Sequence, residues 1–175
     1  MDILKYLVFG KEEQEEKKPA KKKKEPDDKI IYSKRFNVAG ISNYYDVIKD
    51  IIDKGCERGI YSRYKGYTNK DFKNTTESIG EIAEQETNTI NLVKYEYKGK
   101  DAIRVLLEGE HGEFHEIGSI PKKELDGLLP YIGNKKLKVK GFFVGGVYKK
   151  YDKEKNAFIE TEYDLGIELS IVVRG

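Results

Sequence analysis

Residues 89–120 read TINLVKYEYKGKDAIRVLLEGEHGEFHEIGSI, and the way this stretch breaks into short apolar runs decides the fold. The run "TINLVKYEY" is rich in β-branched and aromatic residues, which favour a pleated strand. The residues Lys98 to Lys100 interrupt it, and Ala102 to Leu107, apolar but for Arg104, then read as a buried strand. "EGEHGE" makes a second turn and "FHEIGSI" a third, shorter strand.

Working outward toward the C-terminus, Pro121 opens a short helix expected over 121–131, because proline lacks the N–H that would be unpaired at a first helical position. Leu125, Leu128 and Leu129 mark its buried side. "KKLKVKGFFVGGVYKKYD" and "NAFIETEYDLGIELSIVV" follow as paired strands joined by "DKEKN". Toward the N-terminus, Ile30, Tyr32, Phe36 and Val38 alternate along one face of a strand that Gly40 ends. The period then changes. Val47, Ile48, Ile51 and Ile52 recur at helical spacing, predicting a helix near 44–54 with Asn43 as N-cap and Gly55 as the stop. Residues 56–89 carry a weaker pattern and read as an insertion with one short strand. Short strands, one or two inserted helices and glycines at bends predict a mainly β, α+β domain, a small and partly open barrel over 30–175.

The totals narrow the function. Of the 175 residues, 37% are charged and 38% apolar, so the core is modest and the surface ionic. The net charge of +2 excludes a uniformly basic nucleic-acid binder and leaves only a local patch. Cys56 is the sole cysteine, so no intramolecular disulfide can form, and the expected location is cytoplasmic. Residues 1–10, MDILKYLVFG, are apolar but span about half of the ~20 residues a membrane helix needs. They have no basic stretch or small-residue cleavage site ahead of the next segment. Residues 11–29 contain no large apolar side chain and read as a disordered, charged linker. Ile3, Leu4, Leu7 and Phe9 are therefore left either to dock on their own domain or to bind a protein partner, with no membrane role.

The chemistry favours contact over catalysis. Thirteen tyrosines, many beside Lys or Arg, supply the flat rings and cations that single-strand binders combine. "YSRYKGYTNKDFK" and "VYKKYDK" show this interleaving, which is also what a half-exposed strand looks like. Lys122 and Lys123 stand in the first turn of the predicted helix, where the helix dipole disfavours cations. Either a bound phosphate or a neighbouring carboxylate such as Glu124 would compensate. His111 and His115 in "HGEFHE" lack the helical His-Glu pattern of zinc proteases. No nucleophile elbow, phosphate loop or metal cluster is evident. The expectation is no enzyme activity, no cofactor and no metal.

Three pieces of the sequence resemble the HIRAN domain, found alone in bacterial proteins and as a module on Swi/Snf-type DNA translocases. "FNVAGISNYYDVI" is similar to the family's apolar run into Gly and a Tyr-Tyr pair, with one extra residue. "LVKYEYKGKDAIRVLL" is similar to its strand, turn and Ala-Ile step, and "EIGSIPKKELDGLLPYI" to its entry into a helix. The resemblance implies an OB-like barrel that holds a single-stranded DNA end, or 3′ end, against aromatic rings in DNA processing or repair. Tyr44 falls at a stacking position of the family, with Asn43 in place of an Arg. The family's Asn-Pro-Tyr-Asp turn, whose Tyr stacks on the terminal base and whose Asp meets the 3′ hydroxyl, is replaced by Glu96, Tyr97, Lys98 and Gly99, so the end-reading pair is absent. Tyr95 or Tyr97 is left as the substitute ring, and Lys98, Lys122 and Lys123 as phosphate contacts. The alternative is a protein–protein interaction domain on the same fold with no DNA role.

Overall fold

The computed structural model describes residues 29–175. The readings made for 1–10, and for 11–29 up to residue 28, lie outside the described residues. In chain order the elements are β1 (Ile30–Asn37), a 3-10 turn (Ile41–Tyr44), α1 (Tyr45–Glu57) and a second 3-10 turn (Arg63–Gly66). Then come α2 (Asn69–Asn74), β2 (Ile79–Gly80), β3 (Ile90–Tyr97), β4 (Lys100–Glu108) and β5 (Phe114–Ser119). The chain ends with α3 (Lys122–Leu128), a 3-10 turn (Leu129–Tyr131), and the long strands β6 (Leu137–Asp152) and β7 (Ala157–Arg174).

The strands form two antiparallel sheets, ordered β1-β7-β6-β2 and β3-β4-β5. They touch at both margins. Ala39, just past β1, and Ser119, at the end of β5, exchange N–H···O bonds of 2.9 Å, and Glu86, ahead of β3, bridges Phe142 of β6. The sheets therefore curl round one core, giving the mainly β, OB-like fold expected of the sequence. Strand alternation supplies that core. Ile103, Val105 and Leu107 of β4, and Ile167, Leu169, Ile171 and Val173 of β7, are fully buried at every second position. Ile48 of α1 and Leu128 of α3 are equally buried and close the ends.

Glycines set the curvature at two places. Gly145 and Gly146 have φ of +71° and +77° at a bulge in β6, where a side chain on Gly145 would run into the Asp164 carbonyl. Gly118 lies against the Ala39 carbonyl, so the β1–β5 contact requires a residue without Cβ.

Four local expectations are corrected. Asn43 is not the cap of α1: a 3-10 turn precedes the helix, Tyr44 occupies the cap position, and no side-chain cap bond forms. Gly55 is inside α1 rather than its stop, and the Tyr61 ring packs where its Cβ would be. Pro121 is the cap of α3, with φ −57° and ψ 139°, so Lys122 is the first helical residue. Ile30 is 52% exposed because a register shift between Ile30 and Tyr32 takes it out of the buried alternation.

The segment 56–89 contains the expected short strand, β2, and also α2, which the pattern did not reveal. It is packed into the fold: Tyr61, Phe72, Ile79, Ile82 and Ala83 are all buried. Phe72 meets Tyr64, Tyr67 and Phe158 edge-on, at centroid distances of 5.8, 5.6 and 6.1 Å. This ties the segment to the far end of the β6–β7 hairpin.

Candidate nucleic-acid interface

The β3–β4 hairpin forms one wall of the site. Lys98 and Gly99 have φ of +51° and +73°, the two left-handed residues of a two-residue hairpin turn. Tyr97 lies opposite Lys100 and Tyr95 opposite Ala102, and directly opposed residues share a face of the sheet. Ile103 and Val105 take the core side, so both tyrosines project outward. The Lys98 Nζ lies 5.2 Å from the Tyr97 ring centroid, and the Arg104 guanidinium sits 4.2 Å above the Tyr95 ring. Tyr97 is 58% exposed and keeps its ring open to solvent.

Tyr44 is held in place from β5. Its hydroxyl donates to Glu116 Oε1 at 2.8 Å, while Glu116 Oε2 is 3.7 Å from Arg104 Nε. Tyr44, Glu116, Arg104 and Tyr95 thus form a continuous line across the first turn, β5, β4 and β3. The bond to Glu116, with some desolvation, raises the Tyr44 hydroxyl above the usual tyrosine pKa. Its ring also packs against the core, so its position is fixed before any ligand arrives.

The start of α3 forms the facing wall. Lys122 and Lys123 are exposed, and neither makes an ion pair among the described residues. Glu124, the carboxylate that could offset them, is 4.0 Å from Lys34 of β1. Between the walls runs a groove of about 1480 Å³. Asn43, Tyr44, Tyr95, Tyr97, Lys98, Lys122 and Lys123 all line it, together with Lys100, Glu116, Asp101 and Asp126. Asp101 is paired with Lys94 at 3.0 Å and Glu116 with Tyr44 and Arg104. That leaves Asp126 facing four lysines, a local positive excess hidden by the net charge of +2.

Arg104, Glu116 and Lys100 were not singled out from the sequence. Arg104 did carry a signal, as the one cation within the apolar run of β4. Glu116 and Lys100 acquire their roles only through cross-strand register, which the sequence does not state.

The remaining aromatic clusters serve packing. The Tyr61 hydroxyl accepts from the Asn88 N–H at 3.0 Å, and Tyr64 and Tyr67 lean on Phe72. Tyr148 packs edge-on against Tyr163, and Tyr151 bonds Asn156. His115 and the His111 N–H both contact Glu113, at 3.0 and 2.7 Å, lowering the Glu113 carboxyl to about 2. Among the described residues, no three His, Cys, Asp or Glu converge as metal ligands would. Cys56 is half-buried, and desolvation raises its thiol pKa, away from a reactive thiolate.

The fold and groove define a small β-barrel protein with an aromatic, lysine-rimmed cleft. No family model, curated protein or solved structure matches the chain. Among the described residues, no helix is long and apolar enough to cross a membrane.

Proposed function

We propose that the protein is a non-catalytic nucleic-acid-binding module of HIRAN type for single-stranded or end-containing DNA, acting in DNA processing or repair. One observation carries this reading: three tyrosines and four lysines, from elements far apart in sequence, line a single groove. Stacking on rings and neutralising phosphates are the two interactions that bind single strands without reading sequence. Tyr97 offers an exposed ring with Lys98 over one face, Tyr44 a fixed ring, and Tyr95 one already covered by Arg104. Lys98, Lys100, Lys122 and Lys123 face the backbone of the strand. Gly99 stands where the family's hydroxyl-reading Asp would be, so this chain grips the strand rather than its 3′ hydroxyl. A cytoplasmic location goes with the reading, since Cys56 is the only cysteine.

A protein-interaction role on the same fold is favoured by a different observation. Tyr44 spends its hydroxyl on Glu116, and Arg104 occupies one face of Tyr95, so part of the groove is already satisfied internally.

Fluorescence anisotropy with single-stranded, duplex and 3′-blocked oligonucleotides at two salt concentrations separates the two. The DNA reading expects the single strand to bind best, with blocked and free ends alike. Replacing both Lys122 and Lys123 by Ala should lower the salt slope by roughly 0.7 per contact removed. Absence of binding to every oligonucleotide at low salt would leave the protein-interaction reading.

A further inference from the structure

Between β3 and β6 the barrel wall is open. Just ahead of β3 the chain pairs with β6: the Thr87 N–H donates to the Gly141 carbonyl at 2.8 Å, and the Phe143 N–H to the Gln85 carbonyl at 3.0 Å. Two residues later it has changed sheets, and the Thr89 carbonyl accepts from the Glu108 N–H of β4 at 2.9 Å. Beyond this crossover β3 follows β4 while β6 follows β7, and a cleft of about 740 Å³ opens between them.

In antiparallel strands, successive residues turn their backbone groups to opposite sides. Thr89 turns its carbonyl toward β4, so Leu92 turns its N–H and C=O into the cleft. Gly141 and Phe143 bond away from β7, so Val139 does likewise. No described residue bonds the Leu92 or Val139 backbone on that side. The Leu92, Leu137 and Val139 side chains are half-buried against the core beneath. Two unpaired edges over an apolar floor offer backbone donors and acceptors with which one more strand could pair.

We infer that this cleft takes residues 3–9 of the same chain, Ile-Leu-Lys-Tyr-Leu-Val-Phe, as an added strand. Six of those seven residues are large and apolar or aromatic, so a strand made of them has an apolar face to lay on the Leu92, Leu137 and Val139 floor. The tether reaches. The 19 residues from Gly10 to Asp28 span up to about 60 Å when extended. The Gly175 N–H donates to the Lys29 carbonyl at 2.7 Å, and Val173 of β7 lies opposite Leu137. The tether therefore enters the fold two strands from the cleft mouth, about 10 Å across the sheet.

Amide hydrogen exchange on the full chain tests this. The Leu92 and Val139 amides exchange slowly in the unaltered protein, and Tyr6→Pro, which cannot pair on that strand, speeds both about tenfold or more. Leu7→Asp, which keeps every backbone N–H, acts in the same direction. The Ile103 and Leu169 amides stay unchanged in both variants and report an intact barrel. Fast exchange of Leu92 and Val139 in the unaltered chain, or protection indifferent to both variants, overturns the proposal. Protection that rises with protein concentration alongside a dimer in light scattering also overturns it, by assigning the slot to a second copy.

Discussion

Glu116 is the residue on which the groove's geometry turns, because its two oxygens face Tyr44 and Arg104. The Tyr44 phenol donates to it, so folding favours the protonated hydroxyl and raises its pKa above the ordinary 10.0. The stability this contributes is complete below pH 10 and is lost as pH rises through the folded value. The phenolate difference signal between the unaltered protein and Tyr44→Phe should therefore titrate above 10, and should move down in Glu116→Gln. A difference signal centred at or below 10 would mean that the bond is not formed in solution. Tyr97, the most exposed of the three rings, is the cleanest test of stacking: Tyr97→Ala should weaken single-strand binding by about 1–3 kcal/mol with no change in melting temperature. Unchanged affinity would remove Tyr97 from the site. At this scale the tyrosines and lysines could be picked from the sequence, since ring and charge are properties of the residue itself. The expected cap at Asn43 failed because an extra 3-10 turn takes up Asn43 and shifts the helix start by one residue, from 44 to Tyr45. That turn is held by a Gly40 carbonyl accepting from the Asn43 N–H at 3.1 Å, not by any side-chain signature.

The elements were legible where a turn is chemically marked and obscure where it is not. Lys98-Gly99 sits between two runs of strand-forming residues, and the hairpin turn falls there because Gly is free to take the left-handed conformation, while the Tyr97–Lys100 register carries Lys98 into it. The adjacent glycines Gly145 and Gly146 sit at the bulge in β6, in keeping with the general expectation of glycines where strands bend. The helix α2 escaped because it is six residues long with one buried side chain, too short for a period. Its capping box, in which Thr68 and Asp71 bond each other reciprocally, was the only available signal. Phe72→Ala tests whether α2 is integral to the barrel: with the ring 2% exposed among three aromatic neighbours, the loss should be about 3–5 kcal/mol in urea unfolding. A change under about 1 kcal/mol would make the segment an appendage. Gly118→Ala tests the β1–β5 contact in the same assay, since the new Cβ would strike the Ala39 carbonyl. It should cost about 1–3 kcal/mol, and a neutral result would mean that the margin can open without strain.

For the whole molecule, composition concealed what topology assembled. A net charge of +2 gives no hint of a basic face. The face exists because the β3–β4 turn and the α3 entry, 24 residues apart when counted from Lys98 to Lys122, both border the same groove. Meanwhile two of the three carboxylates that line it, Asp101 and Glu116, are drawn into pairs with Lys94 and Arg104. The central claim is that this groove, and no other surface, grips single-stranded DNA. The most direct measurement is a two-dimensional amide NMR titration with a short single-stranded oligonucleotide at low salt. Shifts should concentrate at Tyr44, Tyr95, Tyr97, Lys98, Gly99, Lys122 and Lys123, while Tyr148, Tyr151 and Tyr163 on the far hairpin stay still. An unperturbed spectrum, or shifts confined to the far hairpin, would contradict it.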